Sequence, residues 1–122
     1  ASWSPDGTKL VFRGSGTGVT DPPSNYEIFV ANYAEYAYGV APTKITDYPG
    51  MDTSPAWKPS GDRLVFARDG DLIFMNSNGS GVSSLNESGY YSASPAWSPD
   101  GDKIAYTSRQ GRKFQIYLRA VM

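Results

Sequence analysis

The chain has 122 residues, 39% of them apolar and 14% aromatic, and a formal net charge of −1. That length suits one domain, and the near-neutral charge gives no pull toward nucleic acid or an anionic membrane surface. Histidine and cysteine are both absent, which excludes disulfides, a Ser-His-Asp triad, a thiol nucleophile, and imidazole or thiolate metal sites.

Residues 1–3 read as an extended segment ending at Trp3, and Ser4-Pro5-Asp6-Gly7 reads as a turn. Proline presets φ, the aspartate bonds nearby backbone, and glycine accepts a positive φ. Residues 9–13 then form a strand, and the run Leu10-Val11-Phe12 predicts burial on both faces. Residues 14–25 are a polar Gly-, Pro- and Ser-rich loop, long for a hairpin connection. Residues 28–32 are a third strand, 33–41 a second insertion, and 42–46 a short polar strand of the kind that protects a sheet edge.

The second unit is more compact. Trp57 ends its first strand, residues 63–67 form the next, and Asp69-Gly70 turns into a third at 72–76. Asn78-Gly79 turns again into an outer strand at 82–85. Asn78-Gly79-Ser80 matches a glycosylation sequon and reads here as turn chemistry. The third unit repeats the plan with Trp97, residues 103–107 and residues 116–118, and shows no fourth strand.

Three copies of one motif underlie this plan: ASWSPDG at 1–7, PAWKPSG at 55–61 and PAWSPDG at 95–101. Each tryptophan precedes the first apolar residue of the next strand by seven positions (3 to 10, 57 to 64, 97 to 104). No stretch shows a 3.6-residue apolar period. Four short antiparallel strands in a period of roughly 40 residues are the pattern of a β-propeller blade. The predicted fold is all-β: three β-propeller blades of the four-stranded type, with four, four and three strands, at approximately 1–54, 55–94 and 95–122 in one segment, as half of a six-bladed propeller. Trp3, Trp57 and Trp97 recur at a fixed phase and are expected in the core between blades. Asp6, Ser60 and Asp100 are expected to serve their turns.

These residues resemble the repeat of the TolB-type β-propeller family. The matching positions are Pro55, Trp57, Pro95, Trp97, Ser98, Pro99, Asp100, Gly101, Lys103, Ile104, Ala105 and Tyr106, and residues 73–81 (IFMNSNGSG) match the second half of the repeat. The resemblance implies a non-catalytic scaffold for protein–protein interaction in the bacterial periplasm or outside the cell. The family's namesake binds the peptidoglycan-associated lipoprotein. The repeat also occurs in the propeller domains of serine peptidases. An accessory propeller of a hydrolase and a glycan- or small-ligand-binding propeller are therefore the alternatives. The chain departs from the repeat at Lys58 and Ser60, at Ser92 where unit two has Asp52, and at Arg119 where the other units have Asn32 and Asn76.

Closed propellers have roughly four to eight blades. Three blades therefore predict either a homodimer completing a six-bladed ring or a piece of a longer propeller. The edge after Leu118 is expected to be open to strand addition. Loops on a rigid scaffold commonly carry recognition, and tyrosine is enriched at interfaces. Tyr26, Tyr33, Tyr36, Tyr38, Tyr90 and Tyr91, with Tyr48 beside them, are the predicted binding residues for a protein partner. No cofactor is expected. Asp52, just ahead of an inner strand, is the one candidate ligand for a channel calcium or sodium ion. Neither nucleic-acid binding nor membrane insertion is expected, since no run of about 18 apolar residues occurs.

Overall fold

Three copies of one turn organise the computed structural model, which describes residues 1–15, 25–85 and 91–121. In the first, the Ser4 hydroxyl donates to Asp6 Oδ1 at 2.7 Å, the Thr8 amide donates to the same oxygen at 3.0 Å, and the Gly7 amide donates to the Ser4 carbonyl at 2.9 Å. The third copy repeats this set with Ser98, Asp100, Asp102 and Gly101. The second keeps the bond from the Gly61 amide to the Lys58 carbonyl, and its side-chain bond passes from Ser60 to Asp62. Gly7, Gly61 and Gly101 have φ of 74°, 81° and 76°, where a Cβ is strained.

Each turn folds the chain back into an antiparallel partner. The first sheet contains β1 (Ser2–Trp3), β2 (Lys9–Ser15), β3 (Tyr26–Asn32) and β4 (Thr43–Lys44). The second contains β5 (Asp52–Trp57), β6 (Arg63–Arg68), β7 (Asp71–Asn76) and β8 (Ser83–Ser84). The third contains β9 (Tyr91–Trp97), β10 (Lys103–Gln110) and β11 (Lys113–Ala120). Strands within each sheet lie in chain order, as in propeller blades. The second and third sheets thus open at Asp52 and Tyr91, ahead of the Pro55 and Pro95 that mark the motif. The register sets each tryptophan opposite the first apolar residue after the turn: Trp3 on Leu10, Trp57 on Leu64, Trp97 on Ile104. The two inner strands β5 and β9 hold Ser54 and Ser94 at φ of 53° and 51°, beside a register shift in each pairing, as in a bulge.

The sheets stack face on face, and side chains alternate between the two faces of each strand. Val11 and Ile28 of the first sheet meet Trp57, Leu64, Phe66, Ile73 and Met75 of the second in one buried cluster. Val65, Ala67, Leu72 and Phe74 on the other face of the second sheet meet Ile104 and Tyr106 of the third, with Trp97 and Tyr117 packed against them. Each sheet thus has a leading face, which carries the tryptophan, and a trailing face.

Expectations are corrected at both ends of the stack. Trp3 is 53% exposed, and β2 is not buried on both faces: Val11 is fully buried while Leu10 and Phe12 are half-buried. Among the described residues, no sheet lies against the leading face of the first sheet. Residues 33–41 instead contribute a short helix, α1 (Tyr33–Tyr36), where a loop was expected. Its Tyr33 ring meets Trp3 at 5.5 Å and its Tyr36 ring lies 6.5 Å from Phe12. At the other end, β11 runs longer than the predicted 116–118 and leaves Phe114, Ile116 and Leu118 exposed at 61%, 72% and 74%. The outer strands β4 and β8 are two residues each, shorter than predicted. Most of the predicted loop at 14–25 lies outside the described residues. No described helix is long and apolar enough to cross a membrane.

Candidate functional site

The antiparallel registers sort the predicted binding residues onto two opposite ends of the blades. Ser15 pairs with Tyr26, Arg68 with Asp52, and Arg109 with Tyr91 at one end. The tryptophans, the Ser-Pro-Asp-Gly turns and α1 mark the other. The six tyrosines are therefore not one continuous patch. Tyr26 and Tyr91 stand at the first end with Tyr48; Tyr33, Tyr36 and Tyr38 stand at the second. Tyr90 lies outside the described residues.

At the first end, arginines lie over the tyrosine rings. Arg13 sits 4.6 Å above Tyr26, Arg68 sits 4.2 Å above Tyr48, and Arg109 sits 5.8 Å above Tyr91. A guanidinium over an aromatic face leaves its N–H edge free to donate, and Arg68 turns that edge on Asp52. Tyr26 belongs to β3 rather than to a loop and is half-buried, whereas Tyr91 is 49% exposed.

Beneath these rings is a buried polar network that the sequence reading missed. Glu27 is fully buried; its Oε2 accepts from the Thr46 hydroxyl at 2.6 Å and its Oε1 from the Tyr48 amide at 2.8 Å. With its amide turned so that oxygen and nitrogen are both satisfied, Asn25 donates to the Gly50 and Tyr48 carbonyls, both at 2.8 Å. Asp69 accepts from the Met51 amide at 3.2 Å. Together these bonds fix the connector 46–51 against β3 and the β6–β7 hairpin. The one available signal was Glu27 itself, a charged residue at the head of an apolar strand.

Asp52 is the first residue of β5 and is fully buried. Arg68 donates to both its oxygens, from Nε at 2.7 Å and from Nη2 at 2.8 Å. Those hydrogen bonds raise the Arg68 pKa above its ordinary value. A channel cation at Asp52 would have to displace the guanidinium. Among the described residues no three acidic side chains converge as a metal site. In the third sheet the matching positions are Ser92 and Ser108, both buried, with hydroxyls 3.3 Å apart.

At the second end, Tyr33, Tyr36 and Tyr38 are 53%, 49% and 90% exposed. Here Asp6 is held ionised, its pKa lowered to about 2 by hydrogen bonds from the Ser4 hydroxyl and then the Thr8 amide and hydroxyl. The same bonding from Ser98 and the Asp102 amide lowers Asp100. Asn78 Oδ1 accepts from the Ser80 amide at 3.0 Å, so this sequon residue makes the expected turn.

A family model described as the TolB beta propeller domain matches residues 1–122. No curated protein matches the chain. Among solved structures, TolB from Acinetobacter baumannii is 24% identical with a TM-score of 0.80, the match covering 98% of this chain and 29% of that one. A candidate TolB from Agrobacterium tumefaciens is 21% identical with a TM-score of 0.79, covering 98% and 44%. An oligogalacturonate lyase from Vibrio parahaemolyticus is 18% identical with a TM-score of 0.68, covering 98% and 34%. The chain therefore spans less than half the length of each of these proteins, and at these identities the likeness is one of fold.

Proposed function

The chain belongs to the TolB beta propeller family, and from that premise we propose that it is a non-catalytic scaffold that recognises a protein partner in the bacterial envelope, in the periplasm or outside the cell. The observation that carries this reading is the display of tyrosines at the two ends of the stacked sheets. Tyr33, Tyr36 and Tyr38 are half to nine-tenths exposed on one end, and Arg109 lies over the exposed Tyr91 on the other. Tyrosine gives contact area at low entropic cost, and Tyr91, borne on β9, is held in place before the partner arrives. We further propose that a second copy covers the two open sheet faces and completes a six-bladed ring.

The test of recognition is capture from an envelope extract by chemical crosslinking. Replacing Tyr33, Tyr36 and Tyr38 together by serine should leave the β-sheet circular-dichroism spectrum unchanged and remove the crosslinked partner. Capture at the wild-type level by that variant would refute α1 as the recognition surface.

A further inference from the structure

The two junctions between sheets are built from the same motif, and the residue that follows the tryptophan differs between them. In the second junction Lys58 follows Trp57, and its stem runs between the Trp97 ring and the next turn. A Cβ placed on Gly101 would lie 3.2 Å from Lys58 Cε, and the ammonium sits 5.6 Å above the Trp97 ring. In the first junction the residue after Trp3 is Ser4. The matching Gly61 faces only Pro5, at 3.8 Å and beyond. The missing lysine stem leaves a pocket of about 130 Å³, lined by Ser4, Pro5, Asp6, Lys9, Trp57 and the turn at Ser60 and Gly61.

Trp57, which lines this pocket, differs from Trp97 in its indole N–H as well. Trp97 Nε1 donates to the Ala56 carbonyl at 3.2 Å. Trp57 is 7% exposed, its Nε1 is buried, and that nitrogen has no acceptor among the described residues. A buried donor needs an oxygen.

We propose that this pocket is a binding site for an alkylammonium group, with the stem along Pro5 and Gly61 and the ammonium over the Trp57 ring beside Asp6. The molecule itself shows the occupant, since Lys58 fills the equivalent space one blade on. Attraction of an ammonium to a tryptophan face is strong among cation–π pairs. Asp6 stands where the second junction has Ser60, so the first junction carries an additional carboxylate at that place, and it stays charged across the working pH range. Lys9 shares the rim, but Arg63 holds the matching place in the second junction, where Lys58 is still accommodated.

The test is a titration followed through the indole N–H signals, one for each of the three tryptophans, with Trp57→Phe assigning the relevant one. n-Butylammonium chloride should shift the Trp57 signal to saturation, and potassium chloride at the same ionic strength should not. The Trp97 signal, already covered by Lys58, should stay in place. Ser4→Lys should fill the pocket and abolish the response while leaving the Trp97 signal unmoved. Asp6→Asn should weaken binding about threefold, as expected for a solvent-exposed charge partner. A blocked tripeptide with a central lysine distinguishes the sources: tighter binding than butylammonium assigns the site to a protein lysine, weaker binding to a free amine. The proposal is overturned if neither probe gives a saturable shift, if Trp57 and Trp97 respond alike, or if the response survives Ser4→Lys.

Discussion

Trp3, Trp57 and Trp97 hold one place in three copies of a motif and differ in what stands against them. Trp57 lies in the cluster with Leu64, Phe66 and Met75; Trp3 is half exposed and meets Tyr33. Trp57→Ala should therefore cost about 3–5 kcal/mol, whereas Trp3→Ala should cost well under about 1 kcal/mol in the single chain, as surface changes do. Urea-denaturation midpoints of the two variants at equal slope would check the difference. The turn aspartates add a pH signature. Asp6 falls from an ordinary 3.8 to about 2 in the folded chain, and Asp62 and Asp100 are also lowered, chiefly by Ser60 and Ser98. A folded pKa below the unfolded one stabilises the fold above the unfolded value, and that contribution is lost as pH falls through the folded value. The thermal midpoint should thus lose the Asp62 and Asp100 contributions as pH falls below the ordinary carboxylate range, and the Asp6 contribution between about pH 4 and pH 2. The gap between wild type and Asp6→Asn should close over the same interval, and a gap unchanged at pH 2.5 would contradict the turn bonds.

At the scale of the element, β5 and β6 are tied by a charge pair and β9 and β10 by two hydroxyls at the same register. Asp52 and Ser92 are 40 positions apart, as are Arg68 and Ser108. The replacement is paired because removing the arginine alone strands a fully buried carboxylate. Arg68→Ser should cost about 3–5 kcal/mol, and Asp52→Ser combined with Arg68→Ser should cost less than Arg68→Ser alone. A double-mutant cycle on chemical denaturation measures this coupling. The case also shows what the sequence made legible. The change from Asp52 to Ser92 was visible against the motif. Its partner change was not, because Arg68 and Ser108 lie 16 residues on from Asp52 and Ser92 and meet them only through the register. The Trp–turn–strand plan was legible because each part is local: proline and glycine fix the turn, and the short apolar run after it marks the strand. Glu27, Asn25 and Thr46 were not, since their network joins β3 to a connector about twenty residues on. The division of the tyrosines between two ends likewise depends on strand direction, which no single stretch of sequence carries.

For the whole molecule, the second sheet shows what the two open faces are shaped to meet. Its leading face, with Trp57, Leu64 and Phe66, packs on Val11 and Ile28; its trailing face, with Val65, Ala67 and Phe74, packs on Ile104 and Tyr106. The first sheet offers Trp3, Leu10 and Phe12 at the matching leading positions. The third offers Ala105 and Thr107, paired with Leu118 and Ile116, at the trailing ones. A two-fold axis along the channel would set each trailing face on a leading face and close six sheets, within the range of closed propellers. Tyr33 and Tyr36 lie over part of that leading face, so docking requires α1 to move off Trp3 and Phe12. Light scattering at micromolar concentration should give twice the mass of the chain. Leu118→Asp places a charge in the centre of the contact and should give a monomer with an unchanged β-sheet spectrum. Trp3→Ala, nearly neutral for the single chain, should weaken dimerisation at least about tenfold, because a buried tryptophan at an interface is worth about 1.4 kcal/mol or more. A wild-type chain that stays monomeric at tens of micromolar would refute the dimer and assign the open faces to blades other than a second copy.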